Sequence, residues 1–199
     1  RSRDKTLAEV REALTIFALK EGLVNAVKEN QCIFLIVETG SGKTLACFLP
    51  AMMHCAAHAP PQSGPQVLIL APTRELAAQV ADSFEKFSTY RKLSMALLIG
   101  GVSFADQNAA LDKGVDVLIA TPGRLLDHFE RGKVLLTDVK ILVIDEADRM
   151  LDMGFIPDVE RIVGLLPPLR QTLFFSATLS DDIKKLSDKF VSNPKIIQV

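Results

Sequence analysis

The sequence has few cysteines, no long apolar run and almost no net charge, and each of these features excludes a class of protein. Cys32, Cys47 and Cys55 are odd in number and lack metal-site spacing, so we expect free thiols in a reducing compartment. No apolar run approaches a membrane span, and residues 1–5 lack the apolar core of a signal peptide. These features predict a soluble intracellular protein, cytoplasmic or nuclear, that does not enter a membrane.

A net charge of −1 excludes a protein that holds nucleic acid by bulk positive charge. Any such binding would have to be local and would rely on oriented backbone donors. The 199 residues, 48% hydrophobic and 24% charged, suffice for one α/β domain with a substantial core, or for two very small ones. No repeat, low-complexity tract or linker divides the chain, which favours a single domain over residues 1–199.

Short apolar runs alternate with stretches of helical spacing. Strands are predicted at 33–37, 67–71, 95–99, 116–120, 141–144, 172–175 and 195–199. Helices are predicted within 6–29, from residue 45, and at 74–90, 103–114, 156–165, from residue 122 and after residue 180. This alternation predicts an α/β fold, a mostly parallel sheet with helices on both faces. Ligands of such sheets bind beyond the carboxyl ends of the strands.

A glycine-containing turn joins the first predicted strand to a predicted helix. Gly40 and Gly42 let backbone N–H groups turn toward an anion, and the helix N-terminus adds donors and the positive end of its dipole. In such a loop Lys43 would reach the β- and γ-phosphates of a nucleotide, and the Thr44 hydroxyl would bind Mg²⁺. The strand–turn–helix order favours this loop over a Gly-Ser turn with a solvated lysine.

An acidic cluster follows the predicted strand 141–144. Asp145 can hold Mg²⁺ through water opposite Thr44, and Glu146 can orient an attacking water as general base. A solvated acidic turn at the start of a helix explains the cluster equally well when it is taken alone. The upstream phosphate loop favours the catalytic interpretation.

Six short motifs follow one another in a definite order. They are Thr39-Gly40-Ser41-Gly42-Lys43-Thr44, Pro72-Thr73-Arg74-Glu75-Leu76, Gly100-Gly101, Thr121-Pro122-Gly123-Arg124, Asp145-Glu146-Ala147-Asp148 and Ser176-Ala177-Thr178. Their order and spacing resemble the motif series of DEAD-box RNA helicases, from about Val37 to the C-terminus. The resemblance implies a RecA-like P-loop domain, the first of two in an ATP-dependent RNA-unwinding enzyme that uses ATP and Mg²⁺.

The resemblance gives each motif a role. Residues 39–44 would bind ATP, with catalysis by Lys43, Asp145 and Glu146 and the metal held at Thr44 and Asp145. The backbone of single-stranded RNA would be gripped, without sequence preference, by Pro72, Thr73, Arg74, Gly100, Gly101, Thr121, Pro122, Gly123 and Arg124. Ser176 and Thr178 would bond to Asp148 and couple hydrolysis to domain movement. Taken one at a time, the RNA-type segments are better explained by ordinary helix capping and turning.

The resemblance fails upstream of the phosphate loop. Members of the family carry there a glutamine that recognises adenine, and a count without gaps places Lys20 at its position. Lysine has no acceptor, so it cannot make the paired donor and acceptor contact with an adenine edge. Residues 1–30 are therefore expected to be an atypical helical segment, and we expect weak selectivity among nucleotide bases.

The chain ends soon after Thr178, so the second RecA-like domain is expected to be absent. The chain is also expected to be a monomer. Without the arginine finger of that domain, the chain alone should be a nearly inactive ATPase. Two functions stay open. The first is the nucleotide-binding half of an RNA helicase, with RNA and the C-terminal domain as partners. The second is a non-catalytic, nucleotide-regulated RNA- or partner-binding module, favoured by Lys20 and by Val37, which stands where the loop pattern has glycine.

Overall fold

The computed structural model describes residues 25, 26, 28–36, 64–88 and 93–198. The predicted helices within 6–29 and from residue 45, with Lys20 and the candidate phosphate loop 39–44, lie wholly or mainly outside the described residues. Within the described ranges, no helix has both the length and the apolar character needed to cross a bilayer.

The described residues contain one sheet of seven parallel strands. The strands are β1 (Cys32–Ile36), β2 (Val67–Leu70), β3 (Met95–Leu98), β4 (Val117–Ala120), β5 (Ile141–Ile144), β6 (Gln171–Ser176) and β7 (Lys195–Gln198). Their spatial order is β3-β4-β2-β5-β6-β1-β7, and all neighbours run parallel. The predicted parallel α/β sheet is confirmed, and each strand lies within one residue of its predicted bounds.

Six helices connect these strands in the described ranges. They are α1 (Arg74–Ser88), α2 (Phe104–Asp112), α3 (Pro122–Glu130), α4 (Ala147–Asp152), α5 (Ile156–Leu165) and α6 (Asp181–Phe190). The predicted caps are confirmed, because Ser103 Oγ accepts from Ala105 N at 3.1 Å and Ser180 Oγ accepts from Ile183 N at 3.3 Å. Pro122 occupies the first position of α3, as predicted. Only α4, a helix of six residues, was not predicted.

Both faces of the sheet are buried, which explains why the strands are continuous apolar runs. In β2, Leu68 and Leu70 join a core cluster with residues of α3, α4, α5 and α6. Val67 and Ile69 join a second cluster on the other face, where α1 contributes Phe84. Burying one such side chain contributes about 1.5–3 kcal/mol, so the helices fix the sheet from both sides. The strand ends are thereby held as a rigid edge.

Candidate functional site

Backbone hydrogen bonds continue the sheet past the carboxyl ends of four strands. Thr121 N donates to Leu98 O at 3.1 Å, Ala71 N to Ala120 O at 3.0 Å, and Asp145 N to Leu70 O at 2.9 Å. The segments that follow β3, β4, β2 and β5 are therefore held side by side. Most of the motif residues predicted from the sequence lie in these segments.

The strand order divides this edge into two halves. The segments after β3, β4 and β2 hold the glycines, threonines and arginines for which the sequence predicts contacts with RNA. The acidic segment follows β5, and Ser176 ends β6. Ser176 pairs with Ile36 in β1, and the candidate phosphate loop, which lies outside the described residues, follows Ile36 in the sequence. The order of the strands thus separates RNA-type motifs from nucleotide-type motifs.

Arg74 and Gly101 come from different segments and touch. Gly101 has φ +78°, a left-handed conformation that favours glycine, and a Cβ there would lie 2.9 Å from Arg74 Nη1. The Arg74 side chain is 62% exposed, and its Nε lies 2.9 Å from Glu75 Oε1. This hydrogen bond lowers the pKa of the Glu75 carboxyl. The result is an exposed guanidinium held above a glycine turn.

The N-termini of α1 and α3 differ in how their threonines are used. Thr73 Oγ1 accepts from Leu76 N at 3.2 Å and so caps α1. Thr121 precedes α3 but its side chain makes no cap hydrogen bond. The hydroxyl of Thr121 and the first N–H groups of α3 can therefore both serve a bound anion.

Arg124 is half-buried and its guanidinium faces protein groups. Its Nε donates to Gln107 Oε1 at 3.0 Å, its Nη2 donates to Val102 O, and its Cζ lies 3.4 Å from the centroid of the Phe104 ring. Gln107 and Phe104 were not predicted as site residues. Gln107 is the buried residue of α2, and nothing in the spacing of the helix FADQNAALD marks it as such.

His128 completes this cluster and is wholly buried. Its Nε2 lies 2.6 Å from Gln107 Oε1, and its ring centroid lies 4.8 Å from that of Phe104. Because Gln107 Nε2 donates to Ile99 O at 2.8 Å, Gln107 Oε1 is the acceptor and His128 Nε2 carries the proton. Burial lowers the pKa of His128, and the charges of Arg124 and Arg131 lower that pKa further, against the opposite effect of Asp127.

Acidification is expected to destabilise the chain through His128. Since the folded-state pKa lies below the ordinary value of about 6.5, the unfolded chain takes up the proton first as the pH falls. The stabilisation is present above the unfolded pKa and is lost as the pH falls through the folded pKa. We expect the thermal midpoint to fall less between about pH 7.5 and pH 5 in His128→Gln than in the parent. Equal falls in both proteins would contradict this assignment.

The acidic segment contains the only non-glycine residue with positive φ at this edge among the described residues. Glu146 has φ 50° and ψ 53° and directly precedes α4. Such a conformation costs on the order of 1–3 kcal/mol and is retained where the surroundings impose it. The Glu146 side chain is 13% exposed, and its Oε2 lies 3.6 Å from Arg149 Nη1. Asp145, beside it, is buried. The strained backbone therefore sets the position of the Glu146 carboxylate at the carboxyl end of β5.

Asp148, Ser176 and Thr178 lie at neighbouring elements, since α4 packs against β6. Asp148 Oδ1 accepts from Arg149 N at 3.1 Å, and Ser176 Oγ accepts from Thr178 N at 3.4 Å. In the described part of the chain no hydrogen bond joins Asp148 to Ser176 or Thr178. The predicted coupling between them stays a prediction.

The acidic segment suits a hard cation that keeps several water ligands. Over the described ranges, no group of three or more His, Cys, Asp or Glu side chains could hold a metal by itself. Mg²⁺ commonly uses one or two carboxylates with waters and substrate phosphates, so Asp145 alone fits that donor set. Thr44, the second predicted ligand, lies outside the described residues.

The chain belongs to the DEAD/DEAH box helicase family, whose model matches residues 19–186. It is similar to DEAD-box ATP-dependent RNA helicase 20 of Arabidopsis thaliana, with 49% identity over 163 residues, 80% of this chain and 32% of that protein. It is also similar to ATP-dependent RNA helicase dbp2 of Neurospora crassa, with 49% identity over 160 residues, 79% of this chain and 28% of that protein. The chain spans between 20% and 38% of the length of such curated relatives.

Solved structures share the fold. A DEAD box protein from the hyperthermophile Methanococcus jannaschii matches with a TM-score of 0.78 and 38% identity, over 86% of this chain and 46% of that one. The yeast DEAD-box splicing factor Prp28 matches with a TM-score of 0.77 and 32% identity, over 84% of this chain and 41% of that one. The predicted RecA-like fold and the resemblance to DEAD-box helicases are confirmed.

Proposed function

We propose that the chain is the nucleotide-binding half of an ATP-dependent RNA helicase. It binds Mg-ATP at one half of the sheet edge and the backbone of single-stranded RNA at the other half, and a second RecA-like domain completes both sites. The observation that carries the proposal is the strand order, which separates the two kinds of motif along one rigid edge. Relatives that are named ATP-dependent RNA helicases support it.

On the nucleotide half, residues 39–44 would offer backbone N–H groups to the phosphates, and Lys43 would pair with the β- and γ-phosphates. Thr44 and Asp145 would hold Mg²⁺, which neutralises charge on the phosphates. Glu146 accepts a proton from the attacking water, and its left-handed backbone and limited exposure favour one orientation of the carboxylate. An arginine finger from a second RecA-like domain would raise the rate of hydrolysis by several powers of ten.

On the RNA half, sequence-independent contacts come from groups that recognise phosphate. Arg74 offers an exposed guanidinium, and Gly101 lets the RNA backbone approach the turn beneath it. Thr121 and the N-terminus of α3 add a hydroxyl and N–H donors. Because the chain has a net charge of −1, affinity comes from these few local contacts.

The two halves meet where β2 lies beside β5. Asp145 N donates to Leu70 O, and Pro72, Thr73 and Arg74 follow Leu70 almost directly, so the acidic and RNA-type segments share one backbone contact. We propose that Asp148 pairs with Ser176 and Thr178 when nucleotide and RNA are bound together. That rearrangement would couple hydrolysis to movement of the second domain.

Replacing Arg74 with alanine is expected to weaken RNA binding several-fold and to lower the salt dependence of binding. Each phosphate contact to a single strand contributes about 0.7 to the slope of log K against log salt. Binding of a fluorescein-labelled oligouridylate, followed by anisotropy across a salt series, measures both quantities.

The matched control for this measurement is Arg161→Ala. Arg161 is 56% exposed and forms an ion pair of 2.7 Å with Glu130, at the end of α3 away from the carboxyl edge. We expect Arg161→Ala to leave the affinity and the slope unchanged. Equal effects of the two substitutions, or a slope typical of a strongly basic protein, would count against the proposed RNA site.

Replacing Gly101 with alanine is expected to reduce both stability and RNA binding. An L-residue in a left-handed conformation costs about 1–2 kcal/mol, and the new Cβ displaces the Arg74 guanidinium. Gly114→Ala is the control, because Gly114 has φ +77° with nothing within 4 Å. We expect similar losses in the free energy of unfolding, measured with denaturant, but weaker RNA binding only in Gly101→Ala. RNA binding that is equal in the two variants would disprove the role given to this turn.

A further inference from the structure

The turn of residues 99–102 is fixed at both of its ends by side chains from other elements. Gln107 Nε2, from α2, donates to the carbonyl of Ile99, which precedes the two glycines. Arg124 Nη2, from α3, donates to the carbonyl of Val102, which follows them. Gly100, Gly101 and Val102 are exposed between these two anchors.

Gln107 is the group that joins the two anchors. It is 4% exposed, and its Oε1 accepts from both Arg124 Nε and His128 Nε2. The Gln107 side chain therefore donates to the turn through its N–H group and accepts from Arg124 through its oxygen. The buried Nδ1 of His128 has no hydrogen-bond partner among the described residues, so Nε2 is the ring nitrogen through which His128 contacts this network. Ile99 O can only accept and Arg124 Nε can only donate, so these two groups set which way the carboxamide faces, and the His128 donor supports the same orientation.

The Phe104 ring packs against one face of the Arg124 guanidinium and restricts its movement further. Arg124 Cζ lies 3.4 Å and Arg131 Cζ 3.9 Å from its centroid. A stacked guanidinium with two donated hydrogen bonds has little freedom left, yet it retains further N–H groups for a phosphate. Arg124 is therefore held in place before any ligand binds, whereas Arg74 is mainly exposed.

We propose that Gln107 is a positioning residue for RNA binding, which holds Arg124 and the Gly100-Gly101 turn in one geometry, with a second donor from His128 supporting the orientation of Gln107. The inference rests on the proposed function. An arginine and a turn that are ordered beforehand bind phosphate without the entropic cost of ordering them in the complex. Gln107 itself touches no ligand and acts through Arg124 and the turn.

The test is a double-mutant cycle on binding of a fluorescein-labelled oligouridylate by the full chain. We expect Gln107→Met to weaken binding about tenfold, since hydrogen bonds to charged groups contribute on that scale. Arg124→Ala should weaken binding of the parent about tenfold but that of Gln107→Met less than about twofold, because the two residues act as one unit. Arg161→Ala, which lies away from this edge, should have no effect in either background. A loss of folded structure alone would not produce this selective coupling to Arg124.

A second pair of variants keeps the test decisive if Gln107→Met does not fold. His128→Gln retains an N–H donor where Nε2 lies, and we expect it to bind RNA as the parent does. His128→Leu removes that donor while remaining apolar, and we expect weaker binding. Additive effects of Gln107 and Arg124, or equal binding by the two His128 variants, would overturn the inference and leave the proposed function intact. If the parent chain bound no RNA, the proposed function would fail first.

Discussion

Glu146→Gln is expected to preserve nucleotide binding and to reduce ATP hydrolysis about 10²- to 10⁴-fold, the range that a general base contributes. The substitution keeps the shape of the side chain and removes its basicity. Hydrolysis would be measured with the chain joined to the C-terminal RecA-like domain of a relative, in the presence of RNA. Residue 146 has a left-handed backbone, and glutamine must adopt that same backbone conformation in the variant. The parent and the variant therefore differ in the basicity of the side chain and not in backbone conformation.

Glu130→Gln is the control for this experiment. Glu130 is a carboxylate paired with Arg161 at 2.7 Å, as Glu146 is paired with Arg149 at 3.6 Å, but it ends α3 away from the site. We expect parental hydrolysis from this variant. Parental hydrolysis by Glu146→Gln would show that Glu146 is not the base.

Lys43→Ala is expected to weaken binding of Mg-nucleotide at least tenfold, which corresponds to about 1.5–3 kcal/mol for a hydrogen bond to a charged group. The expectation rests on the sequence context, because Lys43 lies outside the described residues. Calorimetric titration of ADP with Mg²⁺ into the chain gives the affinity directly, without a second domain.

Lys140→Ala is the matched control, since Lys140 is exposed and precedes β5 at the opposite edge of the sheet. It should bind nucleotide with the parental affinity. If Lys43→Ala bound ADP as tightly as the parent, the phosphate-loop assignment would be wrong.

Much of the fold follows from the sequence because both faces of the sheet are buried. Buried strands are continuous apolar runs, so runs such as 141–144 could be located to within a residue. The helix α4 escaped prediction for a physical reason. It has only six residues and buries only Ala147 and Met150, which is too few to set up a helical period.

The order of the strands in the sheet could not be predicted. It depends on where each connecting segment returns the chain to the sheet, and the local sequence pattern does not encode this. The sequence predicts that the motifs lie at carboxyl strand ends, but only the order β3-β4-β2-β5-β6-β1 separates them into two groups. The contacts among Gln107, Arg124 and His128 were also missed. They join residues 17 and 21 positions apart on two helices, and no periodicity links such positions.

The most direct test of the proposed function is the dependence of ATP hydrolysis on RNA when the chain is joined to the C-terminal RecA-like domain of a relative. We expect the chain alone to hydrolyse ATP negligibly, and the joined protein to hydrolyse it at a rate that rises with added single-stranded RNA of any sequence. Hydrolysis that is absent from the joined protein, or that does not respond to RNA, would contradict the proposal and favour the non-catalytic binding module.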